Sequence, residues 1–244
     1  MSAVILFSGG LDSTAAVGVA VEDHHKKIYL LSLDYGSLHG EAERNAAWNV
    51  THDLREIYPD VEFLVPEPIK LPAIFAGGHS ALMGDVPMPS GVYQDLKTQG
   101  PSSTVVPFRN ANFISIATTI AERDGYDMVY IAVHASDHNR WAYPDCSPEF
   151  IGAMMNAVYV GTMHKVRLVA PFLWMTKAEV VRKGYDLGAP LSKTWSCYRG
   201  GKFHCGTCPT CIERHKAFIE AVKFDLTQYD VDPIIAEQKN EEGR

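Results

Sequence analysis

Long apolar runs are missing from this chain of 244 residues. No stretch of about 18 apolar residues occurs, so no helix is expected to span a membrane. An excess of positive charge is missing too: 22 Lys and Arg stand against 29 Asp and Glu, a formal net charge of −7. That balance argues against a broad, sequence-independent grip on DNA or RNA, although a local cradle for a small anion remains compatible with it. No basic n-region or cleavage site precedes the first apolar run, so a cytoplasmic location is expected. Cysteine is nearly absent outside one cluster. Four of the five lie between 197 and 211, which is too crowded for a disulfide framework, and only Cys146 stands apart. Internal repeats and low-complexity tracts are also lacking.

What is present alternates between two periods. Candidate strands cover 3–7, 28–33, 61–65, 128–133 and 166–170, with helical patterns over 12–21, 40–57, 110–123, 148–158, 177–187 and 212–222. Within the second helix Ala46, Val50 and Leu54 recur every four residues on one face. Strand–helix alternation of this kind implies right-handed βαβ units, hence an α/β domain with a five-stranded, mostly parallel sheet covered on both faces. Ligands of such sheets sit beyond the carboxyl ends of the strands, where Ser8, Asp34 and His134 fall. Residues 66–107 interrupt the rhythm with Gly and Pro and read as a long loop or lid within the domain 1–191. A cysteine knot with its helix follows over 192–225, then a tail over 226–244 expected to fray near its end.

The first strand runs into Phe7-Ser8-Gly9-Gly10-Leu11-Asp12-Ser13-Thr14. Glycines after a strand let the backbone approach a ligand without a Cβ in the way, and the helix that follows offers N–H groups and partial positive charge to an anion. The common P-loop is excluded, since it needs a Lys before Ser or Thr and no Lys precedes Lys26. The plainer reading is a helix cap. The heptapeptide from Ser8 resembles the loop of the PP-loop ATP pyrophosphatases, which grip the β,γ-phosphates while a substrate oxygen attacks the α-phosphate.

The cysteine spacing is Cys197-x7-Cys205-x2-Cys208-x2-Cys211. Two-residue gaps let a turn aim both sulfurs at one ion, and four thiolates with no open position describe a closed, structural zinc site. The rival, an iron–sulfur cluster, requires a fourth Cys three residues on with Pro after it, but those positions hold His215 and Lys216. His204 reads as a neighbour of the knot rather than a ligand.

Along roughly residues 3 to 220 the chain resembles the 7-cyano-7-deazaguanine synthase family. The loop at Ser8 carries the resemblance, with Asp34-Tyr35-Gly36 and His39, and Val106-Pro107-Phe108-Arg109-Asn110. It continues through Tyr143-Pro144-Asp145-Cys146, Pro171-Phe172-x-Trp174 with Lys177 and Glu179, Thr194-Trp195-Ser196-Cys197-Tyr198 and the remaining cysteines. The resemblance implies ATP-dependent conversion of 7-carboxy-7-deazaguanine and ammonia to a nitrile, with ATP, Mg²⁺ and Zn²⁺ as cofactors. It puts ATP on Phe7, Ser8, Gly9, Gly10, Leu11, Asp12, Ser13, Thr14 and Asp34, and makes Arg109 and Lys177 the catalytic cations at the α-phosphate. A guanine edge offers adjacent N–H donors that one carboxylate accepts, so Asp145 and then Asp137 are the candidates, with Tyr143 and His39 nearby. Structural alternatives stand beside these roles: Asp145 as a helix N-cap, Lys177 as an exposed first-turn residue, Arg109 in a salt bridge. Cys146 reads as buried filler. Small molecules are the expected partners, without nucleic acid, and a homodimer is compatible with the sequence. Other readings are a tRNA-thiolating enzyme, an inactive interaction scaffold, or a relative that stops at the amide or serves DNA modification.

Overall fold

The computed structural model describes residues 1–89, 102–137 and 142–236. Its centre is a parallel sheet of five strands: β1 (Ser2–Leu6), β2 (Lys27–Leu31), β4 (Glu62–Leu64), β6 (Met128–Tyr130) and β7 (Arg167–Val169), in the order β4-β2-β1-β6-β7. All five sequence-predicted strands are present, with β1 and β2 beginning one residue early and the others shortened. Register aligns Val4 with Tyr29 on one side and with Val129 on the other.

Side chains alternate across the pleat, and each face makes its own core. Ala3, Ile5, Ile28 and Leu30 face α1 (Leu11–Glu22), α2 (Gly40–Ile57), α6 (Lys177–Asp186) and α7 (Pro209–Val222). Val4, Leu31, Val129 and Leu168 face α4 (Arg109–Asp124) and α5 (Pro148–Gly161). The near-continuous apolar character of β1 and β2 follows from burial on both faces. Chain order reverses direction between β1 and β6, and a crevice opens there beyond the carboxyl ends of the strands.

The segment 66–107 is not the featureless loop its composition suggests. Its described part holds β5 (Ile69–Lys70), paired in parallel with β3 (Leu33–Asp34), then the one-turn α3 (Pro72–Phe75) and a 3₁₀ turn at Ala81–Met83. Phe75, Leu82 and Val106 close a small satellite core around Tyr35. Residues 90–101 lie outside the described part.

The part of the tail expected to fray, from 237 on, lies outside the described residues. Up to Ala236 the tail folds back over the cysteine knot, and Tyr229 packs against His204 and His215. Gly206, at φ +74°, makes this possible: a Cβ there would sit 1.7 Å from the Val231 carbonyl oxygen. The knot is joined to the sheet through α7, which carries Cys211 at its start and puts Phe218 and Val222 into the main core.

Candidate active site

A cavity of about 290 Å³ opens at the crevice between β1 and β6. Its wall includes twelve of the residues singled out from sequence: Phe7, Ser8, Gly10, Leu11, Asp12, Ser13, Asp34, His39, Arg109, Asp137, Tyr143 and Lys177. Gly9, Thr14 and Asp145 are not on that wall.

The loop after β1 is held by its own hydroxyls. The Ser8 amide donates to Ser13 Oγ (3.3 Å), the Gly10 amide to Ser8 Oγ (3.1 Å), and Ser13 Oγ–H to the Gly10 carbonyl (3.1 Å). Gly10 is the residue before α1 and has no side-chain cap, which leaves the helix N-terminus open to an anion. Gly9 is held tightly on its outer side. At φ +74° it abuts α2, where a Cβ would lie 2.4 Å from the Ala47 nitrogen. Its carbonyl accepts from the Trp195 amide (3.0 Å), tying the loop to the segment that enters the knot.

Charge concentrates behind the loop. Lys177, the first residue of α6, reaches across to Asp12 Oδ2 (2.5 Å) and His134 Nε2 (3.3 Å). His134 Nε2 also lies 3.4 Å from Asp137 Oδ1. Burial pushes the Asp12 carboxyl up, but the charges of Lys177 and His134 outweigh it and hold the group below its ordinary value. Burial likewise opposes the Lys177 ammonium, yet Asp12 raises it above the usual lysine value, so this pair is ionised. Asp12 Oδ1 is buried without a hydrogen-bond partner among the described residues. Lys177 is thus no exposed first-turn residue.

Arg109 opens α4 after Phe108, whose φ of +54° turns the chain into the helix. Its guanidinium lies over the rings of Tyr35 (5.3 Å) and Phe113 (5.7 Å) and donates to Tyr35 Oη (3.2 Å). No carboxylate salt bridge to Arg109 is formed among the described residues. Burial acts against its charge, but Tyr35 and Asp145 raise its pKa further, so it stays a cation. Asp34 accepts from the Gly36 amide (3.0 Å) and from Arg44 (3.4 Å). His39 is buried, 3.5 Å from Glu43, with its ring 5.6 Å from that of Tyr198. Tyr143 Oη hydrogen-bonds the Thr104 hydroxyl and lies 3.5 Å from Tyr198 Oη.

Asp145 is engaged by the start of α4. Its Oδ2 accepts from the Asn110 amide (3.0 Å), satisfying the first turn of α4, and it does not face the cavity. The cap of α5 is Ser147, whose hydroxyl accepts from Phe150. Asp137 is therefore the carboxylate of the two that reaches the wall. Cys146 does line the cavity, but burial raises its thiol well above the ordinary value, as fits a filler rather than a thiolate.

The four clustered cysteines converge: their sulfurs lie within 4.8 Å of one another, with Cys205 and Cys211 at 3.9 Å. Zn–S bonds of about 2.3 Å in a tetrahedron put sulfurs about 3.8 Å apart, so the set fits a metal ion. Backbone amides of Arg199 and Cys205 point at Cys197 Sγ, and those of Thr207 and Cys208 at Cys205 Sγ, which favours thiolates. His204 stays outside this set. It accepts from the Ser196 amide (3.1 Å), and burial together with Arg214 pushes it down to about 3.

Sequence reasoning overlooked Glu213 on α7 and the cavity roles of Ser196, Tyr198 and Thr210. Trp195, Ser196 and Tyr198 sat in a motif block that hinted at them. Glu213 carried no signal, since one carboxylate on an amphipathic helix looks like any solvated residue. Arg214, buried completely, was missed as well; it donates to Leu191 O, Thr194, Ser196 and Thr227.

Three curated relatives span nearly the whole chain, each named 7-cyano-7-deazaguanine synthase. The one from Porphyromonas gingivalis is 37% identical over 93% of this chain and 96% of its own. That from Thermoplasma acidophilum is 36% identical over 95% and 93%, and that from Methanosphaerula palustris 38% over 94% and 100%. A looser likeness, with a TM-score of 0.48 at 13% identity over 81% of this chain and 61% of the other, is to a U34-tRNA thiolase from Methanococcus maripaludis, and it bears no weight here. The family model described as "Queuosine biosynthesis protein QueC" matches residues 2–222, and the chain belongs to that family.

Proposed function

We propose that this enzyme converts 7-carboxy-7-deazaguanine and ammonia to 7-cyano-7-deazaguanine, consuming two ATP and releasing two AMP and two pyrophosphates. The observation that carries the reading is one cavity wall bearing an open helix N-terminus at Gly10 and two cations, Arg109 and Lys177. The names of the relatives supply the substrate class.

A carboxylate resists ammonia because its charge repels a nucleophile and oxide is not a leaving group. Attack of a carboxylate oxygen on the α-phosphate of ATP releases pyrophosphate and gives an acyl adenylate. Ammonia displaces AMP and loses a proton, leaving the amide. The amide oxygen then attacks a second α-phosphate, and expulsion of AMP with loss of the N–H protons forms the C≡N bond.

Each transfer builds charge on phosphate oxygens, so donors fixed in advance are the main catalytic asset. In this reading Ser8, Gly10 and Ser13 receive the pyrophosphate, with Phe7, Leu11 and Asp34 flanking the nucleotide. Gly9 and Thr14 support the loop from behind. Lys177, steadied by Asp12 and His134, and Arg109, flattened on two rings, meet the α-phosphate as a point charge and a planar fork. Asp137, Tyr143 and His39 are the polar groups for the purine. Mg²⁺ would offset pyrophosphate charge, and the unpartnered Asp12 Oδ1 is an oxygen available to it. Zn²⁺ is the ion we assign to the four cysteines, in a structural role. We assign the cytoplasm as the site of action, since four adjacent thiolates suit a reducing compartment and no helix among the described residues is long and apolar enough to cross a membrane. No nucleic-acid partner is invoked, and the proposal is compatible with a homodimer.

Mass spectrometry of a reaction containing 7-carboxy-7-deazaguanine, ammonium, ATP and Mg²⁺ tests the reading. The nitrile is expected. An amide as the sole product would move the enzyme to a shortened reaction, and no new product would refute the proposal.

A further inference from the structure

A second cavity, of about 200 Å³, lies beside the first, between the start of α6 and one stripe of α7. Ser136, Thr176, Ile212, Lys216 and Glu220 contribute to it. Among the described residues, Lys177 and Glu213 line both cavities and so form the wall between them. Of these two, Lys177 is committed to Asp12 and His134. The Glu213 carboxylate makes no hydrogen bond and no ion pair within 4.0 Å among the described residues, although it is set back from the surface.

We propose that the second cavity is the ammonium entry of this active site, with Glu213 as its binding residue. The inference rests on the reading that ammonia is the nitrogen donor. ATP and the carboxylated purine are anions, and their cradle is in the main cavity. The third reactant is a small cation in its bulk form and needs acceptors instead. Glu213 offers a carboxylate with no hydrogen bond or ion pair within 4.0 Å among the described residues; burial raises its pKa while the nearby charges of Lys177 and His134 favour the ionised form, and Ser136 adds a hydroxyl. Lys177 is neutralised by Asp12, and Lys216 is exposed to solvent. A cation held at Glu213 waits beside Lys177, the residue assigned to the α-phosphate, and therefore close to the adenylated carbon. An anion entering by this route would meet the Glu213 charge, so the nucleotide and the nucleophile are kept to separate doors.

Steady-state kinetics in ammonium and ATP, alongside ammonium-free exchange of pyrophosphate into ATP with 7-carboxy-7-deazaguanine, tests the proposal. Glu213→Gln should raise the KM for ammonium about tenfold or more, the loss of one charge-assisted hydrogen bond, with the KM for ATP within about twofold. Pyrophosphate exchange should persist. Ser136→Phe narrows the second cavity from the opposite side and should lower kcat/KM for ammonium about fivefold. Ammonium KM and kcat/KM near wild type in both variants would overturn the assignment. Loss of exchange in Glu213→Gln would also overturn it, showing that the carboxylate serves the nucleotide or the fold. Absence of exchange in the wild-type enzyme would refute the ligase reading itself and the entry route with it.

Discussion

At the scale of single residues, the charge at the cavity depends on the pair Lys177–Asp12. Both groups are enclosed and each sustains the other's charge, so removing one strands its partner. Lys177→Met should reduce kcat/KM by about 100-fold, as removal of one preorganised donor to a transition state does. It should also cost about 3 kcal/mol of stability in urea unfolding, part of which Lys177→Met with Asp12→Asn recovers. A single variant as stable as wild type would contradict the pairing. His204 gives a prediction in pH. Its pKa is about 3 in the fold against an ordinary 6.5, so the unfolded chain binds more protons between those values. Stability therefore rises with pH across that window and falls as acid is added below 6.5. His204→Gln, which keeps an acceptor for Ser196, should flatten the slope of urea midpoint against pH; an unchanged slope would assign the effect elsewhere. Asp145 marks the limit of residue-type reasoning. A carboxylate ahead of a helix was legible as a cap, but the helix it caps, α4, lies 35 positions earlier in sequence at Asn110, a distance no local pattern reveals. Asp145→Ala should cost about 1 kcal/mol of stability and leave the KM for the purine within about twofold.

At the scale of elements, the strands and helices of the main sheet were legible because burial on both faces imposes strong periods. Residues 28–31 alternate between two cores. The β3–β5 pair was not, since two-residue strands have no period to read and depend on a partner 36 positions away, Leu33 with Ile69. The return of the tail escaped for the same reason: its anchors are Thr227 on Arg214 and Tyr229 beside His204, long-range contacts in a stretch of mixed polarity. The two loop glycines now separate. Gly9→Val would push on the Ala47 backbone and should lose both stability and activity, whereas Gly10→Val meets first the movable Ser8 hydroxyl at 3.0 Å and should lose activity with the fold kept. Equal thermal stability of the two variants would contradict this division. The knot gathers four cysteine sulfurs within 4.8 Å of one another, a set that fits one metal ion. Purified protein should carry about one zinc per chain without iron–sulfur absorption, and Cys208→Ser should be insoluble or thermally fragile. Because the Trp195 amide joins the knot to Gly9, chelation should impair nucleotide binding before the sheet unfolds.

At the scale of the whole molecule, the proposed reaction requires an acidic chain to bring two anions and a cation to one crevice. The crevice arises where the strand order reverses, the glycine loop lies at the end of β1, and α7 joins the cysteine knot to the main core. Four of the five cysteines sit in that knot and the fifth is a buried thiol, so glutamine is not expected to replace ammonia. At fixed total ammonium, turnover should rise with pH as ammonium loses its proton. In the proposed reaction both carboxylate oxygens leave on AMP. Substrate labelled with ¹⁸O at both carboxylate oxygens, turned over with ATP, Mg²⁺ and unlabelled ammonium, should give nitrile free of label and two AMP each carrying one ¹⁸O. Label found in inorganic phosphate alongside ADP, with none in AMP, would contradict the account.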